Sequence, residues 1–218
     1  MHIEDYCYSN FVKKGDIAYD IGAHIGEVSV KLINLGASKV FAFEPSVTNF
    51  NELCSNTKDI NVECHNVAFH EKEYTCTTRF KDCRRDRAQD SEQEIRYIKL
   101  DNYILSNNLA LPQFVKIDIE GMEGIVHKNA EFLLTSSRPI IYTEFHIPQK
   151  DNIFQDYEDN PHWRWPENGG YDFNNFKKYD YSFVDKDLNL RSDGDYNPEC
   201  GHYGRAFIPN EKISLYIK

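Results

Sequence analysis

Short apolar runs alternate with helix-spaced segments along the first two thirds of this chain, and that alternation leaves few folds open. The runs are DIAYD (16–20), KVFAFEP (39–45), NVEC (61–64), FVKIDIEG (114–121) and PIIYTEFH (139–146). Apolar runs of this length, bounded by turn residues, read as strands buried on both faces. Between the first two, Ile25, Val28, Val30, Leu32, Ile33 and Leu35 recur at helical spacing and Gly36 closes the segment. Ser46 is placed to cap a helix running to about Cys54, and a further helix is expected over 123–134. Strand, helix, strand in series means βαβ units, a mostly parallel sheet and helices on both of its faces. Right-handed crossovers then give an open, doubly wound α/β sheet whose ligands lie outside the carboxyl ends of the strands.

The rest of the chain is less regular. TCTTRF (75–80) and IRYIKL (95–100) read as strands on either side of a solvated loop over 81–94. FNNFKKY (173–179) reads as a helix, and YSFVDKD and RAFIP as two final strands. Residues 150–170 are acidic, aromatic and rich in Pro and Gly, which predicts an irregular insert. No internal repeat or long linker divides the chain, so one domain over 1–218 is expected, with 150–205 as a lid on the acceptor side.

Charge limits the partners. With 35 acidic and 25 basic residues among 218, the formal net charge is -10, which argues against nucleic acid and anionic lipid as partners. The acidic excess is denser in the last third of the chain. No apolar run reaches the roughly 20 residues that a membrane span needs, and MHIEDYCYSN does not read as a signal peptide. The six cysteines form no Cys-x-x-Cys pair, so they read as reduced thiols in a cytoplasmic compartment.

The strand ends carry the chemistry. The first gives Asp20-Ile21-Gly22-Ala23-His24-Ile25-Gly26. Its glycines allow a tight turn and close approach of a ligand, and the acid before them suits a ligand bearing an ammonium group. It is not the G-x-G-x-x-G turn, which argues against a nicotinamide dehydrogenase. The second strand ends in Glu44-Pro45, 22 residues after Gly22, where a carboxylate can accept both hydroxyls of a ribose. Together these features resemble the S-adenosylmethionine site of Rossmann-like methyltransferases. Asn66 and Val67, at the third strand end, are then expected beside the adenine.

The KIDIEG strand (116–121), with Tyr142-Thr143-Glu144-Phe145-His146 downstream, is the most specific feature. With the DIGAHIG turn, the FEP strand end, the NVA stretch and the LDN segment at Asp101, it resembles the FkbM family of S-adenosylmethionine-dependent methyltransferases over about Gly15–His146. The resemblance implies a class I, Rossmann-like methyltransferase fold: seven strands, mostly parallel, the last antiparallel. It implies O-methylation, commonly of sugar hydroxyls or of hydroxyls on polyketide-type molecules. By residue match, Asp20, Gly22, Ala23, His24, Gly26, Glu44, Pro45, Asn66, Val67 and Asp118 would bind the cofactor. Asp118 and Glu120 would lie beneath the methyl group, with Glu144 and His146 opposite. The family often has Asn where this chain has His24.

Methyl transfer to an alcohol needs in-line placement and removal of the hydroxyl proton. Two readings stay open. In the preferred one His146 is the general base and a carboxylate orients it. In the other Asp118, Glu144 and His146 hold Mg²⁺ or Mn²⁺, which lowers the hydroxyl pKa. Glu120 has an alternative role, capping the helix that starts near Glu123. His65, His70 and His127 are read as surface residues. Trp163, Trp165, Tyr171 and His202 are the expected acceptor contacts, since aromatic faces suit sugars. The expected acceptor is a saccharide, such as a deoxyhexose of a glycan; a non-sugar small molecule and an inactive cofactor-binding scaffold are the alternatives. With its first strand starting near residue 16, the chain is expected to be a compact module of, or partner to, a glycan-building enzyme.

Overall fold

A computed structural model describes residues 3–79, 92–147, 173–184, 189–191 and 201–217. Its centre is a sheet of strands β1 (Ile17–Ile21), β2 (Lys39–Phe43), β3 (Val62–His65), β7 (Phe114–Ile117), β8 (Ile140–Ile147), β9 (Tyr181–Val184), β10 (Leu190–Arg191) and β11 (Gly201–Pro209). The order across the sheet is β10-β9-β11-β8-β7-β1-β2-β3. The pairs from β3 through β8 are all parallel, and β11 runs antiparallel to both β8 and β9. The expected seven strands with an antiparallel last strand are therefore present. A two-residue β10 at the edge makes the described sheet eight-stranded.

Alternation along the strands sorts the core onto two faces. Tyr19, Ile21, Phe41, Phe43, Val115, Ile117, Phe145 and Phe207 pack on one face. Ala18, Val40, Phe114, Ile140 and Tyr142 pack on the other, beneath helices α1 (Ile3–Phe11) and α2 (Glu27–Asn34). Ser46 caps α3 (Val47–Thr57), its Oγ accepting from the Asn49 amide at 3.4 Å, as its position in the sequence predicts.

Several elements depart from the sequence expectation. The N-terminal segment is helix α1, which covers the sheet with Ile3, Cys7, Tyr8 and Phe11; Tyr8 sits edge-on to Phe114 and Tyr142. Residues 92–94 belong to a strand, β6 (Glu92–Ile98), not to a loop. With β4 (Ala68–Phe69) and β5 (Tyr74–Arg79) it forms a separate small sheet, ordered β4-β6-β5. Helix α4 (Leu100–Ser106) follows at once. The single helix expected over 123–134 is two, α5 (Glu123–Lys128) and α6 (Glu131–Ser136). Asp101 explains the break: its carboxylate accepts from the amides of Phe132 at 2.7 Å and Leu133 at 3.2 Å, so it starts α6 from outside. The remaining helices are α7 (Phe173–Lys177) and α8 (Ile213–Tyr216).

Candidate active site

The carboxyl ends of β1, β2, β3, β7 and β8 bring Asp20, Gly22, Glu44, Asn66 and Asp118, with Glu144, to one end of the sheet. Gly22 turns the chain out of β1 with φ +81°, and a Cβ there would lie 1.8 Å from the carbonyl oxygen of Asp118. Only a glycine lets these two strand ends meet backbone to backbone. The amides of Gly22 and Ala23 both donate to the Phe43 carbonyl at 3.0 Å, which ties the turn to β2.

Glu44 sits at the centre of this arrangement. Its Oε2 accepts from the His24 amide at 2.9 Å and its Oε1 from the Ser46 amide at 2.9 Å. Burial pushes the Glu44 carboxyl up to about 7, against the opposing pull of those two amides, Lys116 and Asn49. A carboxylate has about four acceptor positions, so the two amides and the Asn49 side chain still leave room for a hydroxyl donor. The Asn66 side-chain amide donates to the carbonyls of Glu44 at 2.8 Å and Pro45 at 2.9 Å, while Val67 beside it is buried. Asn66 thus fixes the backbone that carries Glu44. Gly26, also left-handed, opens α2.

Asp20 is fully enclosed. Ser29 Oγ donates to its Oδ2 at 2.6 Å, and the Lys116 ammonium lies 3.3 Å from its Oδ1. The register pairs Asp20 with Lys116 on neighbouring strands, so both side chains share a face. Lys116 also donates to the Gly22 carbonyl at 2.8 Å and stands 3.6 Å from Asp118 Oδ2. Burial alone would lower the pKa of this lysine, but Asp20, Asp118 and Glu144 together raise it above the ordinary lysine value, so it stays charged.

Asp118 follows β7 and is partly exposed, as are Glu120 and Glu144. Glu120 adopts φ +58° ahead of Gly121 at +111°. A left-handed non-glycine residue costs about 1–2 kcal/mol. The residue that closes this turn is Glu123, whose Oε1 accepts from the amides of Gly121 at 2.8 Å and Ile119 at 3.2 Å. The capping role considered for Glu120 is not seen: α5 opens after Met122 without a side-chain cap. Glu144 lies opposite Gly204 in the β8–β11 ladder. A Cβ on Gly204 would come within 2.6 Å of the Tyr142 phenol oxygen, so glycine makes room for that ring.

The three histidines read as surface residues are not. His127 is buried, its Nε2 3.0 Å from Thr143 Oγ1, with Phe145, Phe176 and Phe207 around the ring. Burial drives its pKa down to about 3. His70 is buried, and its Nδ1 accepts from the Lys72 amide at 3.1 Å. His65 is half-buried, stacked on Phe43 and 3.0 Å from the Tyr103 hydroxyl.

His146 and His202 face each other in the β8–β11 register; their side chains lie outside the described residues, as do Trp163, Trp165 and Tyr171 altogether. No group of three or more metal-ligating side chains comes together among the described residues. Asp118, a candidate ligand, faces the Lys116 cation instead, and the described residues do not fit a metal centre. Among the described residues no helix is long and apolar enough to cross a membrane. Lys116, Ser29 and Glu123 are the site residues that the sequence reading passed over. The signal for Lys116 was a lone lysine in a strand otherwise buried throughout.

A family model described as the methyltransferase FkbM domain matches residues 20–173. Among solved structures, the methyltransferase FkbM of Methylobacillus flagellatus KT superposes with a TM-score of 0.53 at 18% identity. It covers 92% of this chain, and this chain covers 47% of it, about half its length. Precorrin-6y C5,15-methyltransferase of Geobacter metallireducens gives a TM-score of 0.49 at 14% identity, covering 94% of this chain and 85% of its own. A putative rRNA-methylase of Clostridium thermocellum gives 0.49 at 17% identity, covering 94% and 92%. No curated protein matches the chain.

Proposed function

The chain belongs to the FkbM methyltransferase family, and we propose that it is an S-adenosylmethionine-dependent O-methyltransferase acting on a hydroxyl of a saccharide. The observation that carries the cofactor is Glu44, held by two backbone amides one βαβ unit after a glycine turn, with acceptor capacity left for a ribose. Bound there, the cofactor supplies an electrophilic methyl group. Asn66 keeps the end of β2 fixed, and Val67 offers an apolar wall to the adenine. Asp20 acts from beneath the turn, since its side chain has no exposed surface.

On the acceptor side, Asp118, Glu120 and Glu144 place carboxylates around the position of the reacting hydroxyl. One of them orients His146, the general base of this proposal, which takes the hydroxyl proton as the oxygen attacks. The saccharide rests on the family and on the Trp163–Trp165 segment, whose aromatic faces suit a sugar ring. The domain would work beside a glycan-building partner in a reducing, cytoplasmic compartment. There the described cysteines, Cys7, Cys54, Cys64 and Cys76, remain free thiols, as they are in the structure.

The test is methyl transfer from labelled S-adenosylmethionine to glycosides, hydroxylated non-sugar compounds and a structured RNA. Transfer to glycosides is expected; transfer only to another class removes the saccharide. A second measurement addresses the pocket. An ionised Glu44 is the better acceptor for ribose hydroxyls, so cofactor affinity should fall about tenfold from pH 8 to pH 6. Glu44→Gln should bind weakly with no such dependence. The unliganded fold has the opposite sign: its stability rises as pH falls through about 7, because burial favours protonated Glu44.

A further inference from the structure

Lys116 is a buried cation at the heart of a site that needs to hold another cation. Three acids face it from three strands: Asp20 from β1, Asp118 from the end of β7, and Glu144 from β8. It also donates to the Gly22 carbonyl, at 2.8 Å. An ammonium has three donors, and Asp20, the Gly22 carbonyl and Asp118 bring its contacts to the ends of both β1 and β7. Asp20 needs such a partner, because a fully enclosed carboxylate without a cation is strongly disfavoured. Asp118 makes a second ion pair with the same ammonium, its side chain 11% exposed. Neutralising Asp20 therefore accounts for only part of the geometry.

We propose that Lys116 is a positioning residue for the cofactor: bridging Asp20, Asp118 and the Gly22 carbonyl, it fixes the Asp118 carboxylate against the glycine turn, where it meets the cationic end of S-adenosylmethionine. This rests on the functional reading above. It assigns Asp20 and Lys116 a joint task that neither carries out by touching the cofactor. Asp20 anchors the lysine from below, and the lysine aims Asp118 above. The close approach of the Gly22 turn to the Asp118 carbonyl gives the device its short reach.

The experiment separates neutralisation from positioning. Lys116→Met leaves Asp20 buried and unpaired, and should lower Tm. The double variant Asp20→Asn/Lys116→Met removes both charges and should recover most of that Tm. Its S-adenosylmethionine affinity, read by titration calorimetry, should stay at least tenfold weaker than wild type. Recovery of affinity to within twofold of wild type would overturn the proposal, because the lysine would then only neutralise Asp20. Asp118→Asn, at a partly exposed position, keeps the test open even if the double variant folds poorly. It should weaken cofactor binding by a similar factor, and wild-type affinity in that variant would overturn the proposal as well. A wild-type chain that binds no S-adenosylmethionine defeats the functional reading itself, and this inference with it. Binding by wild type with unchanged affinity in the variants defeats only the inference.

Discussion

Two basic side chains are buried on opposite faces of the same sheet, and they end in opposite charge states. Lys116 aligns with Tyr142 in the β7–β8 ladder, and the next pair is Ile117 with Thr143, the hydrogen-bond partner of His127. The two sites are thus neighbours across the sheet. His127 has three phenylalanine rings and a hydroxyl around it, and burial holds it neutral, with its pKa near 3. Lys116 is no less buried, yet carboxylates from three strands keep it charged. Burial sets the penalty for a charge, and the partners decide whether it is met. The aromatic face is a core that contains a histidine; the opposite face carries an ion cluster that reaches the candidate site.

The largest break in this contrast should come from Lys116→Met. Removing one partner of a buried ion pair costs about 3–5 kcal/mol, to be read from denaturant unfolding at neutral pH. His127→Leu should cost less at pH 7.5, about 1–3 kcal/mol, because it leaves Thr143 without its partner. Its signature is in the pH dependence. An unfolded histidine takes up a proton below about 6.5, while folded His127 resists until about 3. His127 should therefore contribute a fall in stability on the order of 3 kcal/mol between pH 6.5 and pH 4, against the rise that Glu44 contributes over much of the same range. The leucine variant should lack that share of the fall, as Tm measured across the range would reveal. Lys116 has the reverse sign: its raised pKa contributes stability that is lost only on passing above the ordinary lysine range. The smallest effect is expected at Arg138, whose guanidinium meets Glu211 at 2.6 and 2.8 Å near the surface. A double-mutant cycle on that pair should return under about 1 kcal/mol, and less in high salt.

The sequence revealed the acids and glycines better than the groups that organise them. Asp20, Gly22 and Glu44 stand where an apolar run stops, and a strand end is legible from one segment alone. Lys116, Ser29 and Glu123 act through residues on other elements, and their importance appears only once the strands are in register. His127 misled for a similar reason. Its neighbours Lys128 and Asn129 are polar, while the rings that enclose it come from β8, α7 and β11. Helix α1 was legible in principle, since Ile3, Cys7, Tyr8 and Phe11 recur at helical spacing beneath an acidic first turn. The two-residue β4 gives no periodic signal, so the small sheet was hidden.

The antiparallel strand has a consequence for the order of assembly. β11 is inserted between β8 and β9, pairing seven residues of β8 from Ile141 to Ile147 and four of β9. During synthesis the parallel strands can dock as each βαβ unit leaves the ribosome. β8, which carries Glu144, must then wait with a bare edge until residues 201–209 arrive to fill it. An unpaired edge of that length is a site for mispairing and aggregation. The acceptor side of the cleft is thus completed last, once the residues that pair with β8 have been made.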